Sequence, residues 1–379
     1  MSLFDDNFII SMEAKAKAAK EDDEEVKEPA ESNDDPELEL TDEEKVEVEC
    51  AVNNDINAKN FKEATGFDSL IAKNDENVHY ACLEAVTDLI ELSKFDVECT
   101  EAYYNATSQY EKQIITENFK EKVKMFGARF KQFLIKIKNA VIRIFNKAVN
   151  YVKIFASKIS AKFASKVKLD SSKKINDNVT INISEALTRP FGNMVTRIMM
   201  SKSDSFFELS KLIKSLQSTD ISKAKEALNN IEVPKKQDLV NNALRGGYSD
   251  VKLASMQNDG ENMINQLKTI DKNVDMIKGW RKQMESVLSQ AENVANSGDN
   301  TSPEKINVLT SAVNKAMGCF NARVGAMVSL QSLWVNQRIK IIRALSKYQG
   351  KKMPDTEEKE NKSDVHESAN IFDAFLNAF

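Results

Sequence analysis

Glycine and proline are scarce, at 11 and 6 in 379 residues, against usual shares of about 7% and 5%. These two residues make tight turns and the loops that cradle phosphates. Their shortage speaks against a compact α/β enzyme and for long helices with few joints. Histidine is scarcer still, with only His79 and His366, so a His-based triad would need an unusual fold. The four cysteines, Cys50, Cys82, Cys99 and Cys319, have no paired spacing, which predicts reduced thiols rather than a disulfide framework. No uncharged apolar run reaches the roughly 18 residues of a membrane span. Phosphate-loop, dinucleotide, nucleophile-elbow and zinc-protease motifs do not occur. The sequence therefore singles out no catalytic residue, no cofactor and no metal ligand, and a non-enzymatic protein is expected.

What the chain has is segregated charge. Residues 118–168 carry 14 Lys or Arg and one acid, Glu121, in a protein of net charge −5. Apolar residues recur there in steps of three and four: Phe119, Val123, Phe126, Phe130, Phe133, Ile137, Val141, Ile144, Ala148, Val152, Phe155, Ile159, Phe163 and Val167. That spacing predicts one helix with a single apolar face, roughly 75 Å long if straight. Upstream, residues 1–49 hold 19 acids against five Lys.

The rest of the chain divides on composition. Residues 1–13 form a short apolar peptide, and 14–75 read as an acidic disordered tail with a short helix. Thr41 and Glu44 have capping-box spacing at the start of that helix. Residues 76–168 are helical, with stripes at Val78, Cys82, Ala85, Leu89 and Leu92, then Cys99, Tyr103, Tyr110 and Ile114. Nothing between Thr116 and Lys120 breaks the run into the basic helix. Residues 169–248 read as small helices near 194–217, 221–231 and 236–245. One extended piece at 178–184 is read as a lone segment or small hairpin. Residues 249–348 predict an antiparallel hairpin of helices near 262–296 and 303–348, with Pro303 at the first helical position. Residues 349–379 are a charged linker and a short apolar terminal helix. The fold class expected is mostly α, an elongated helical bundle.

Three readings of the basic helix stand side by side. Its apolar face is core under neighbouring helices. Or its cations, Lys122, Lys124, Arg129, Lys131, Lys136, Lys138, Arg143 and Lys147, neutralise DNA phosphates without reading sequence. Or the Phe-rich face enters an anionic membrane surface while the cations meet headgroups. The acidic tail and the basic helix nearly cancel, so the tail is also a candidate shield for the helix, within one chain or between copies of a homo-oligomer.

Near the N-terminus, Ser11, Met12, Glu13 and Ala14 follow the apolar Phe8, Ile9 and Ile10. A small residue, any residue and then Glu is the pattern cut by prohead proteases. On this motif and on its Lys-, Asn- and Glu-rich helical composition, the chain resembles the internal head (core) proteins of large tailed bacteriophages. The resemblance implies a structural virion protein packed with DNA in the capsid interior after synthesis in the host cytoplasm. It also implies other virion proteins as partners and a propeptide removed after Glu13. A membrane-associated protein and a helical scaffold or adaptor are the alternatives.

Overall fold

A computed structural model of the protein describes residues 39–57, 65–170, 172–199, 205–216, 220–296 and 303–349. It is mostly α. The helices in chain order are α1 (Asp42–Asn57), α2 (Thr65–Asn105), α3 (Gln109–Ile159, closed by a π turn at Ser160–Ala164), α4 (Glu185–Thr188), α5 (Phe191–Met199), α6 (Ser205–Ser215), α7 (Ile221–Asn230), α8 (Lys236–Ala243), α9 (Gly260–Lys268), α10 (Val274–Asn296) and α11 (Pro303–Tyr348). Two strands, β1 (Thr180–Ser184) and β2 (Tyr248–Lys252), pair antiparallel with Asn182 opposite Asp250.

The axis of the bundle is α11, not the basic helix that dominates the sequence. Every helix from α2 to α10 packs against α11. Its buried positions cover all faces, including Phe320, Val324, Met327, Val335 and Ile342. The polar side chains of a helix enclosed on all sides need internal partners; Gln331 of α11 lacks one for both amide atoms among the described residues, whereas Gln337 and Arg338 are well supplied. The amide of Gln337 accepts from Ser184 N at 2.8 Å and donates to Ser184 O at 2.9 Å. Arg338, 2% exposed, donates to Gln266 Oε1 at 3.0 Å and to the carbonyls of Leu187, Thr188 and Arg189 at 2.6, 3.4 and 3.2 Å. It also stacks on Trp334, 3.5 Å from the ring centre. Burial pushes its guanidinium pKa down to about 9, so it stays charged at neutral pH. The carbonyls it meets lie at the C-terminal end of α4, where a cation is favoured.

The predicted hairpin is present with one correction. Gln283 pairs with Arg323 and Gln266 with Arg338, so rising numbers on one arm meet falling numbers on the other, as antiparallel packing requires. The first arm, expected as one helix near 262–296, is α9 and α10 separated by Thr269 and a 3₁₀ turn at Ile270–Asn273. The apolar period runs through the break, with Leu267, Ile270 and Val274 all buried, which is why sequence spacing did not reveal it. Trp280, in α10, is fully buried as well.

Other boundaries also move. The run from Thr116 to Lys120 into the basic helix is unbroken, as expected, but the stripe read from Cys99 to Ile114 is interrupted at 106–108. There Ser108 and Glu111 form a capping box: Ser108 Oγ accepts from Glu111 N, and the Glu111 carboxylate accepts from Ser108 N. The capping box predicted at Thr41 and Glu44 forms in the same way at the start of α1. The region 65–75, read as part of a disordered tail, is the first three turns of α2. At Gly66 the two helices approach so closely that a Cβ would lie 2.5 Å from Ala51 O. The helix read near 194–217 is α5 and α6. The extended piece is neither alone nor a local hairpin, since its partner β2 lies 64 residues further on. The divisions expected at 76, 169 and 249 do not separate cores: one cluster of buried apolar side chains runs from Leu40 to Leu345. A second, small cluster at the far end of the α2–α3 pair joins Cys99 and Phe119 with Phe95, Tyr103, Ile115 and Val123. The propeptide motif, the tail to residue 38 and the expected terminal helix lie outside the described residues.

Candidate nucleic-acid interface

The apolar face of α3 and its π turn belongs to the core. All seven phenylalanines of residues 118–168 are buried: Phe119, Phe126, Phe130, Phe133, Phe145, Phe155 and Phe163. The first of the three readings therefore describes where this face goes. A membrane could reach it only by opening the bundle.

The cations of α3 border that face in two rows at seven-residue spacing, which is nearly two full helical turns. Lys122, Arg129, Lys136 and Arg143 form one row, and Lys124, Lys131 and Lys138 form the other. The first row runs beside α2, which carries nine acids and two Lys. Arg129 pairs with Asp88 and reaches Glu91 at 3.9 Å, and Lys136 pairs with Glu84. Lys122 sits over the Phe95 ring at 5.5 Å. In the second row Lys131 reaches Glu292 of α10 at 3.5 Å.

Lys147 is not a surface contact. It is 8% exposed and is held by Glu44 at 3.6 Å and Glu47 at 3.4 Å, both on α1. Lys158 likewise meets Glu49 at 3.2 Å. Lysine is tolerated at so buried a position because paired carboxylates replace the lost hydration. The hydrogen bond from Lys73, opposed by partial burial and helped by Lys147, holds the Glu47 carboxyl below the usual glutamate range. Of the acidic tail expected to shield the basic helix, residues 1–38 lie outside the described residues; Glu44, Glu47 and Glu49 of α1 do meet its cations, and the acids of α2, which were not part of that expectation, meet others. Among the eight expected contact residues, Lys124 and Arg143 are exposed with no carboxylate partner among the described residues.

Below Lys147 lies a buried polar joint. Tyr151 Oη donates to Asp55 Oδ2 at 2.7 Å, and Gly66 N donates to Asp55 Oδ1 at 3.0 Å. Burial raises the Asp55 pKa, and burial with the nearby Asp55 charge raises that of Tyr151. The joint ties the α1–α2 connection to α3.

Cations without acid partners gather elsewhere, where the C-terminal ends of α3 and α11 meet. Lys173 Nζ donates to Gln349 O at 2.9 Å, and Asp170 N donates to Gln349 Oε1 at 2.7 Å. Arg343 lies over the Phe163 ring at 6.0 Å. Gly260, at the start of α9, sits under both ends: a Cβ there would be 2.4 Å from Leu169 Cδ1 and 3.1 Å from Leu345 Cδ1. On this end Lys162, Lys166, Lys168, Lys174 and Lys347 are exposed with no carboxylate partner among the described residues. Part of their role is local, because cations favour the negative end of a helix dipole. Two helix ends nevertheless do not require so many. Lys162, Lys166 and Lys168 belong to the basic stretch read in the sequence. Arg343 and Lys347 come from a helix whose pattern is dominated by apolar residues, and only the fold brings them together. No protein-family model, curated protein or solved structure matches the chain.

Proposed function

We propose that this is a non-enzymatic helical structural protein that contacts DNA without reading its sequence. In this reading it does so through the basic end formed by residues 162–174 and the last turns of α11. The carrying observation is the concentration there of exposed lysines with no carboxylate partner among the described residues, whereas Arg129, Lys131, Lys136, Lys147 and Lys158 of α3 each meet one. Such a surface gains affinity by releasing counterions from phosphates. The resemblance to internal head proteins of tailed phages supports the same reading, with the capsid interior as the place, other virion proteins as neighbours and a prohead protease acting after Glu13. No described helix is long and apolar enough to cross a membrane, and burial of the seven phenylalanines speaks against insertion of the α3 face on which the membrane alternative relied.

The test is binding to two duplexes of unrelated sequence over a salt series. Both should bind alike, with affinity falling steeply as salt rises. Replacing Lys162, Lys166, Lys168 and Lys174 together with Gln should reduce the slope of log affinity against log salt by about 3 to 4, at roughly 0.9 per phosphate contact. Replacing Lys124 and Arg143 should change it little. Strong binding to anionic vesicles with none to DNA at low salt would transfer the reading to a membrane surface.

A further inference from the structure

The helix α1 fills only part of the groove between α2 and α3. Asp55 and Ala51 of α1 lie against Gly66 of α2, and Glu47 reaches Lys73 at 2.7 Å. On the other wall Asp55 meets Tyr151 and Glu44 meets Lys147. Moving towards the start of α1 therefore moves forward along α2 and backward along α3. The next turns on that course carry Asn77 and Tyr80 of α2 and Ala140 and Arg143 of α3. They line a cavity of about 340 Å³ that continues the groove beyond α1. Val78, Ala81 and Ala140, all buried, give it an apolar lining. Arg143 is exposed there with no carboxylate partner among the described residues.

We propose that residues 34–38 of the same chain lie extended in this cavity, with Leu38 against its apolar lining and the acids of the segment turned towards Arg143. Four observations select that occupant. The first is position. The described chain begins at Glu39 and Leu40, just ahead of the helix cap at Thr41, so the residues before it start at the mouth of the cavity and need no linker. The second is pattern. Glu37, Leu38, Glu39 and Leu40 alternate acid and leucine, and alternate residues of an extended chain share a side. Leu40 is buried in the main core and Glu39 is exposed, so the same alternation carries Leu38 inward and Glu37 outward. Pro36 favours that conformation, because it disfavours a helical backbone at Asp35. The third is charge: residues 28–39 hold six acids and no Lys or Arg, and Arg143 is a cation in need of one. The last is length. The lining runs from Asn74 to Glu84 along α2, about 15 Å, which five extended residues span. The segment thereby prolongs the contact that α1 already makes with both walls.

The experiment is disulfide trapping in the full chain carrying Cys50→Ser, in which the remaining native thiols are half-buried or buried. The pair Glu37→Cys/Asn77→Cys should close within one chain about tenfold faster than Glu37→Cys/Glu226→Cys, because docking raises the local concentration of one thiol at the other. Glu226 is exposed on α7, which packs on α6 and α11. Adding Leu38→Asp should slow the first pair about tenfold, by removing the buried leucine, and Arg143→Glu about 2- to 5-fold, by removing an exposed ion pair. Neither should change the second pair. Equal rates for the two pairs overturn the proposal, as does a first pair indifferent to Leu38→Asp. A disulfide that forms only between chains overturns it in favour of the same segment from a second copy. The rates are read without DNA, and in chains beginning at Met1 and at Ala14 alike, so the result is separate from the DNA and processing readings.

Discussion

The two long helices α3 and α11 are close in length, at 51 and 46 residues, and opposite in what their sequences display. The basic helix α3 has one apolar face and two cationic rows, so it reads as amphipathic at first sight. α11 is buried on nearly every side, and its pattern is blurred because most positions must be apolar or internally bonded. The difference teaches that a clear period reports one-sided burial, not importance to the fold. The element with the faint signature is the one that every helix from α2 to α10 touches.

The contrast can be broken first at Phe320, which is fully buried in α11. Phe320→Ala should cost about 3 to 5 kcal/mol in chemical denaturation, the range for an enclosed aromatic side chain. A loss below about 1 kcal/mol would mean that the axis can collapse around the void and is not the packing centre.

A smaller effect is expected at Lys147, the best-enclosed cation of α3. Lys147→Met should cost about 1 to 2 kcal/mol near neutral pH, since it leaves two partly buried carboxylates facing an apolar group. The pH dependence has a definite sign. Glu47 titrates lower in the folded chain than its ordinary value, chiefly through the hydrogen bond from Lys73 and in smaller part through Lys147. The stability it contributes is therefore present above the unfolded pKa and lost as pH falls through the folded one. The gap between native protein and Lys147→Met should close on acidification, as followed by thermal melts at stepped pH. A gap that widens towards acid would show that Lys147 acts through packing alone.

The smallest effect sharpens the comparison at the start of α3. Ser108→Ala removes the cap at the far end of the α2–α3 pair and should cost about 1 kcal/mol. Amide hydrogen exchange should quicken around 105–120 while α11 is unaffected. Equal acceleration in both would join that end, with its own small core, to the main cooperative unit.

Much of this was legible in residues. The capping box at Thr41 and Glu44, the single apolar face of α3, the Pro303 start of α11 and the antiparallel hairpin all follow from local spacing, and local spacing is what a sequence displays; that the Phe face is core rather than a membrane surface did not follow from it. Ser108 and Glu111 carry the same cap signature as Thr41 and Glu44. It was obscured by a stripe that continues on paper through Tyr103, Tyr110 and Ile114. The pairing of β1 with β2 was not legible, because Tyr248, Ser249 and Asp250 are exposed and carry no alternation. Nor was the buried state of Lys147: a lysine in a cationic row looks like its neighbours until the acids of α1, a hundred residues away, are laid against it. The basic end had the same difficulty, since its parts come from two helices separated by well over a hundred residues.

The position of α11 in the chain has a consequence for biosynthesis. The bundle axis is the last described element to leave the ribosome, so the apolar faces of α2 to α10 have no axis to close on until residues 303–349 have emerged. At about 5 to 20 residues per second, the stretch from α3 to the end of α11 takes on the order of ten seconds or more to make. During that interval the acids of α1 and α2 and the cations of α3 can already neutralise one another, because all three helices precede the rest. The paired charges that contribute modestly to the finished fold would then matter most while it is incomplete, holding a three-helix intermediate together and keeping its Phe-rich face from other nascent chains.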